Sequence, residues 1–437
     1  MPTDITVSVN DERFIVPVSE TPSEFVAGFL SKVPENELVR ALGDTGERQQ
    51  GYLEVNNLEN WFSRLNNPLG TDMLTDGHDA YTGTEDGSAS GSKLDGISAR
   101  WPEGPTGSWK HEWYSVHNYL KYGGSALIAG TGSVQNTVSS RDTLTNLSNS
   151  FGCFFAASGS CAANVDLAAI VNKRTDSVAI LGASYSGDTI SSILATGPDS
   201  NILGLSGATL SQYTFAVPGT KYHLQTSQNV QVNNDFDLLQ QSFLSSDAAG
   251  CFARTQRSGR SFASPAGLDR GKILDVVRIG KVINDTEYDT MFSAGINPIR
   301  TFPEGSFLFG DKTGESVPES VTGDLSKTNV PVFTRVNVVR TFLYLKQIIG
   351  ESARRYLFEI NDATTRQSFI STITPILRSV QAGRGISEFQ VVCDQSNNTE
   401  AIIDSNEFVT DVFIKPTKSI NFIRLRFTNK DNDQTIA

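Results

Sequence analysis

The stretches R-V-N-V-V-R-T-F-L-Y-L (Arg335 to Leu345) and L-F-E-I-N-D (Leu357 to Asp362) decide how the C-terminal part of this chain folds. From 334 to 358 the apolar positions Val336, Val339, Leu343, Ile349, Ala353 and Tyr356 fall on one helical face. Asp362 is a good N-cap for a second helix, which carries Phe369, Ile373, Leu377 and Val380 and ends at Gly383. Pro375 lies inside that helix and predicts a kink. Further on, I-R-L-R-F (Ile423 to Phe427) alternates strictly, so Ile423, Leu425 and Phe427 share one face of a strand.

Working toward the N-terminus, D-A-A-G-C-F-A-R-T-Q-R-S-G-R (Asp247 to Arg260) closes a region of different composition, residues 135–260. That region is rich in Ser, Ala, Asn and Gly, with short apolar runs such as D-S-V-A-I-L-G-A (Asp176 to Ala183). Parallel strands with short helices fit it, and so does a small α/β insert. Residues 112–128 read as a helix stopped by Gly123-Gly124 and followed by a strand. Residues 66–110 are poor in apolar side chains and read as a long exposed insertion. Leu58, Trp61, Phe62 and Leu65 have helical spacing. I-T-V-S-V (Ile5 to Val9) alternates like a short strand or arm, with Ile5, Val7 and Val9 on one side.

The 437 residues suffice for two or three domains with full cores. No stretch approaches 18 uninterrupted apolar residues, so no membrane insertion is expected. The first residues lack the apolar core of a signal peptide, which argues against secretion by that route. Cys153, Cys161, Cys251 and Cys393 form no C-x-x-C pair and read as reduced structural thiols. The net charge of −12 argues against direct nucleic-acid binding. Residues 335–384 are the exception, with 8 Arg and Lys against 3 acids. An acidic protein partner and a solvated helix face with ion pairs both account for that segment.

Catalytic patterns fail on spacing. No phosphate-binding G-x-x-x-x-G-K-S/T string occurs, and Gly130-Thr131-Gly132 lacks the third glycine of a dinucleotide fingerprint. Gly182-Ala-Ser184-Tyr-Ser-Gly187 is one residue too long for a nucleophile elbow, and His223 is the only histidine downstream of it. A serine hydrolase using Ser184 is therefore a distant alternative. His111 and His117 stand six apart, about 600° around a helix, and so face different ways. Asp72, Asp76, Asp79, Glu85, Asp86 and Asp95 do not match a calcium-loop register. Neither a cofactor nor a metal site is expected.

Several stretches in order carry a resemblance. They are D-T-M-F-S-A-G-I-N-P-I-R-T-F-P-E-G-S-F-L-F-G-D-K-T (Asp289 to Thr313), the two segments quoted first, V-V-C-D-Q-S-N-N-T (Val391 to Thr399) and F-I-K-P-T-K-S-I-N-F-I-R-L-R-F (Phe413 to Phe427). Together this series resembles the C-terminal core of contractile tail sheath proteins of myoviruses. A weaker ordered likeness runs through Phe25 to Asn36, Tyr52 to Phe62 and Tyr119 to Ile128.

The resemblance implies an α+β, multidomain chain whose function is structural rather than enzymatic. It implies an N-terminal arm (1–20), a core domain built from 21–134 and 261–418, an inserted outward-facing domain (135–260) and a C-terminal strand or arm (419–437). It also implies subunits that polymerise as hexameric rings stacked helically around a tail tube protein, capped by baseplate and tail terminator proteins. Contraction of that sheath would drive the tube through the host envelope, from a virion tail assembled in the host bacterial cytoplasm. Ile423, Leu425, Phe427, Ile5, Val7 and Val9 are then candidates for linking subunits, with pairing inside their own subunit as the bland alternative. Arg340, Lys346, Arg354, Arg355, Arg366, Arg378 and Arg384 are candidates for a tube-facing basic wall. A tailocin-like injection machine would use the same mechanics, and a monomeric adhesin would form no ordered polymer.

Overall fold

The computed structural model describes residues 6–9, 12–15, 26–30, 52–55, 109–129, 144, 151–156, 161–183, 211–224, 239–258, 262–293, 295–315 and 332–417. Strand β1 (Thr6–Val9) forms an antiparallel hairpin with β2 (Glu12–Ile15). The main sheet has six strands, β3 (Val26–Leu30), β4 (Tyr52–Val55), β5 (Ser125–Ala129), β6 (Cys153–Ala156), β7 (Val178–Ala183) and β8 (Thr214–Pro218). Their order is β4-β5-β3-β6-β7-β8, parallel throughout except for the antiparallel edge strand β4. Every residue of β6 and β8 is buried. Parallel strands read as continuous apolar runs for this reason, because both faces are covered.

Helices α1 (Trp109–Leu120), α2 (Cys161–Arg174) and α3 (Leu244–Arg257) supply the cover. α2 joins β6 to β7 and packs on both, while α3 lies across β6, β7 and β8 and against α1. Among the described residues of 135–260, several of the alanines that set the region apart are packing residues. Ala163, Ala168, Ala248, Ala249 and Ala253 are buried, and their small side chains let the helices approach the sheet closely.

These pairings cross the boundary expected at 135. β3 from the N-terminal segment pairs directly with β6 from the supposed insert, with Ala27 opposite Cys153. A strand of four or five residues in the middle of a parallel sheet needs hydrogen-bonded neighbours on both sides, so the main sheet takes strands from both segments. The boundary near 260 is bridged as well. At Pro218 the chain leaves the main sheet, and Gly219, at φ 105°, turns it into β9 (Thr220–Leu224). β9 is the middle strand of a second sheet, between β10 (Leu239–Phe243) and β11 (Arg278–Ile279). The helix expected around Leu58 to Leu65 and residues 66–108 of the insertion expected at 66–110 lie outside the described residues, whereas its last two, Trp109 and Lys110, begin α1.

After α4 (Asp285–Ser293), the G-I-N-P-I stretch docks onto the edge of the main sheet. Asn297 is fully buried; its amide donates to the carbonyls of Ala216 (3.1 Å) and Lys312 (2.8 Å), and its Oδ1 accepts from Lys312 N (2.7 Å). The hairpin β12 (Ile299–Phe302) and β13 (Gly305–Leu308) follows.

A C-terminal unit begins at α5 (Val336–Ala353) and continues through α6 (Ala363–Ala382), β14 (Ile386–Val392), α7 (Glu400–Asp404) and β15 (Asp411–Pro416). Asp362 caps α6 by accepting from Thr365 N at 2.7 Å. α6 continues through Pro375 as one helix. The antiparallel pair β14–β15 lays Phe389, Val391, Val412 and Ile414 over a core of Leu345, Leu377, Val380 and Ile386.

Gly250 tests the close packing of α3 on the chain after α1. Alanine in a helix interior normally gains about 1 kcal/mol over glycine. Here its Cβ would stand 2.2 Å from the buried Tyr122 ring. Gly250→Ala should therefore lower the unfolding free energy by about 1–3 kcal/mol in urea titrations, and a more stable variant would contradict this packing.

Candidate assembly surface

The seven basic residues expected on one wall divide into two groups. Arg340, Lys346 and Arg366 are buried inside the chain. Arg340 donates to Gln256 Oε1 (3.2 Å), and its guanidinium lies 5.0 Å from the centre of the Phe252 ring on α3. Burial pulls its pKa down to about 10. Lys346 donates to the carbonyl of Thr175 at 3.0 Å, and burial lowers its pKa to about 8 against the opposing pull of Asp176. Arg366 donates to Asn361 Oδ1 at 2.7 Å. The first two are the seam between α5 and the main sheet's helices, and the third braces the corner before α6. Of the rest, Arg354 is half-buried, and Arg355, Arg378 and Arg384 are exposed. The helical period places a charge on a face but does not say what covers that face, so a basic helix facing another part of the same chain looked like a surface.

The candidate linking residues fall at the margins of the described chain. Val7 and Val9 lie in β1, whose backbone pairs with β2 of the same chain. Ile5, Ile423, Leu425 and Phe427 lie outside the described residues. The unit just before Ile423 is informative. β14 and β15 form a two-stranded sheet, and each has one hydrogen-bonded neighbour among the described residues. Along β15 the side chains alternate, with Val412 and Ile414 turned to the core and Phe413 59% exposed. Asn337 of α5 donates to the carbonyl of Thr417 at 3.0 Å and fixes where the chain leaves β15.

The corner between α5 and α6 is the L-F-E-I-N-D stretch. It exposes Leu357 (37%), Phe358 (91%) and Ile360 (78%). Phe358 has φ 70°, a left-handed conformation that costs a bulky residue on the order of 1–3 kcal/mol. Nothing in an apolar period distinguishes such a knob from core.

Of the chemical candidates, those among the described residues are buried. His223 is fully buried with its ring 4.8 Å from that of Tyr114, while Ser184 lies outside the described residues. Among the described residues no three metal-ligating side chains gather, and Cys153, Cys251 and Cys393 are free buried thiols. Lys221 and Asp247 form an ion pair of 2.7 Å in the interior, joined by the hydroxyl of Tyr122, which donates to Asp247 at 2.9 Å. Burial nevertheless pushes the Asp247 carboxyl up. His117 is buried beside this group, and desolvation, then the charges of Lys121, His223 and Lys221, lowers its pKa to about 3 against the opposing pull of Asp275.

With this geometry in view, comparison with solved structures assigns the fold. The chain superposes on a sheath subunit of the PVC extracellular contractile injection system, contracted state, with a TM-score of 0.62 and 16% identity. The superposition covers 97% of each chain. A subunit from the helical sheath of the anti-feeding prophage, also contracted, gives 0.61 at 13% identity over 97% of this chain and all of that one. The fold is thus that of contractile sheath subunits. Residues 328–430 match the family model of the phage tail sheath C-terminal domain. The tail sheath protein of Enterobacteria phage T4 is 41% identical over 185 residues, 42% of this chain and 26% of that protein. That of Vibrio phage KVP40 is 39% identical over 195 residues, 44% of this chain and 27% of the other. The matched region spans about a quarter of the length of these relatives. The resemblance read from the sequence is a relationship to phage tail sheath proteins.

Two experiments check the interior. Arg340→Ala and Lys346→Ala should each cost about 2 kcal/mol of unfolding free energy by stranding buried partners, whereas Arg355→Ala and Arg378→Ala should stay within about 0.5 kcal/mol. Equal effects from both pairs would contradict the seam. For His117, the unfolded chain takes up a proton near pH 6.5 and the folded chain only near 3. Its contribution to stability is therefore full above 6.5 and falls as the pH drops toward 3. Urea midpoints measured across that window should fall less steeply for His117→Gln than for the unsubstituted protein.

Proposed function

We propose that this chain is the structural subunit of a contractile tail sheath. It polymerises as stacked rings around a tail tube and shortens to drive the tube through a host envelope. The observation that carries this reading is the sheath-subunit fold over 97% of the chain, joined to a tail sheath C-terminal domain at 328–430. The work comes from two packings of the same fold against its copies, so it needs no catalytic group. Assembly in the cytoplasm of a host bacterium, with baseplate and terminator proteins at the ends, belongs to the same proposal. A phage-derived injection machine is the second reading, favoured by the likeness to the PVC and anti-feeding prophage subunits.

Subunits stay tied during the change if strands cross between them. The two outer edges of β14–β15 offer backbone donors and acceptors to strands from neighbouring copies. Ile423–Phe427 supplies one, with Ile423, Leu425 and Phe427 on its apolar face, and the N-terminal segment Ile5, Val7 and Val9 supplies another. The exposed Arg355, Arg378 and Arg384, with the half-buried Arg354, remain candidates for facing an acidic tube.

Negative-stain microscopy of the purified protein tests the whole reading, since a sheath subunit should form hollow tubes or polysheath. Truncation after Pro416 should leave a folded, soluble protein that no longer polymerises, and normal tubes from it would remove the strand exchange. Charge reversal at Arg355, Arg378 and Arg384 should weaken assembly on tubes most clearly at low salt. Assembly unchanged at low salt would remove these residues from the tube wall.

A further inference from the structure

We propose that Lys221 and Asp247 become covalently joined, the Lys221 amine condensing with the Asp247 carboxyl to a side-chain amide and releasing one water. The bond lies inside a single subunit, so it stands apart from the assembly reading above. Three fixed pieces of the fold bring the reacting groups together. Lys221 lies on β9, paired with Ser242 of β10 on one side and Ile279 of β11 on the other. Asp247 sits in the first turn of α3. Tyr122 follows α1, with its ring against Gly250 and the Arg254 guanidinium 5.0 Å from the ring centre. The amine lies 2.7 Å from Asp247 Oδ1, and the two side chains are 1% and 0% exposed.

An exposed pair of this kind stays ionic because water stabilises both charges, and here that hydration is gone. Burial pushes the Asp247 carboxyl up, toward its neutral form. Moving one proton from Lys221 Nζ to Asp247 Oδ2 gives a neutral amine facing a neutral carboxylic acid, the two forms that react. Oδ2 has no hydrogen-bond partner among the described residues, so it is open to that proton. The nitrogen lone pair then bonds to Cγ, the atom next to Oδ1, and the C=O electron pair moves onto Oδ1. The Tyr122 hydroxyl donates to Oδ1 at 2.9 Å and accepts from Leu274 N at 2.9 Å, so it is oriented to stabilise the charge developing there. A second proton passes from the nitrogen to Oδ2, the Cγ–Oδ2 bond breaks and water leaves. Oδ1 becomes the amide carbonyl, and the remaining N–H stays beside the carbonyl of Leu274, which already accepts from Nζ at 2.8 Å. Holding two reactants in contact is worth an effective concentration of roughly 10⁵ M or more, which favours a condensation that fails in dilute solution. The product ties β9 to α3 between positions 26 apart in the chain.

Mass spectrometry of the full unsubstituted chain tests this directly. The intact mass should fall short of the sequence mass by one water, and a digest that cuts between the two positions should leave the Lys221 and Asp247 peptides joined. Lys221→Arg keeps the charge but lacks the amine, so its mass should be that of its sequence and the two peptides should separate. Tyr122→Phe removes only the hydroxyl and should slow the joining, followed at intervals after synthesis, by about tenfold or more. An unsubstituted chain of full mass whose two peptides separate overturns the proposal and leaves a buried ion pair. A loss of water with separable peptides overturns it as well, because the water then comes from a ring closure at another aspartate.

Discussion

Two cations from one helix fix how the C-terminal unit sits on the sheet body. Arg340 and Lys346 leave α5 with long apolar stems and end in the interior, one over Phe252 and one on the carbonyl of Thr175. A buried charge tolerates little displacement, because losing its partner leaves the whole desolvation cost uncompensated. The seam is therefore stiff in position even though it contains few strong bonds. Val336, Val338 and Val339, at the start of the same helix, extend the main core into the seam. The seam thus holds the two units in one relative placement.

A second polar element stiffens the body from within. Lys221 on β9 reaches Asp247 on α3 and the carbonyl of Leu274, and Tyr122 at the end of α1 bonds both Asp247 and Leu274 N. Three segments meet at the Asp247 carboxylate, and Lys221 and Tyr122 tie it to a fourth at Leu274. The network couples the relative placement of the second sheet, α1 and α3, although Asp247 Oδ2 finds no hydrogen-bond partner in it.

What the sequence disclosed was local. The cap at Asp362, the face of α6, the helix stop before β5 and the run that becomes β7 all follow from neighbours within a few residues; on α5 the expected face holds only at Val336 and Val339, and further along Leu345, Lys346 and Gly350 are buried instead. What stayed hidden was long-range. The pairing of β3 with β6 joins residues whose separation no period records. The Asn297 stretch was visible as a turn, but its bonds to Ala216 and Lys312 depend on a strand far upstream. Of the candidate surface, the exposed arginines could be picked out as charges, whereas the burial of Arg340, Lys346 and Arg366 depended on what folds over them. The exposure of Phe358 was hidden for the opposite reason, since an apolar residue is presumed to be covered.

The turn at Gly219 has a mechanical consequence. β8 and β9 are separated by a single residue yet hydrogen-bond in different sheets. A pull transmitted along β9 reaches the main sheet directly through β8, and also through α3 by way of the Lys221–Asp247 pair. β8 lies at the edge of that sheet and shares a five-residue register with β7, and Asn297 is bonded to its other side. Tension along the strand axis strains those cross-strand bonds simultaneously in shear, rather than opening them one at a time. Along this path a longitudinal load is shared among those bonds, whereas a force peeling β8 sideways would open them in turn.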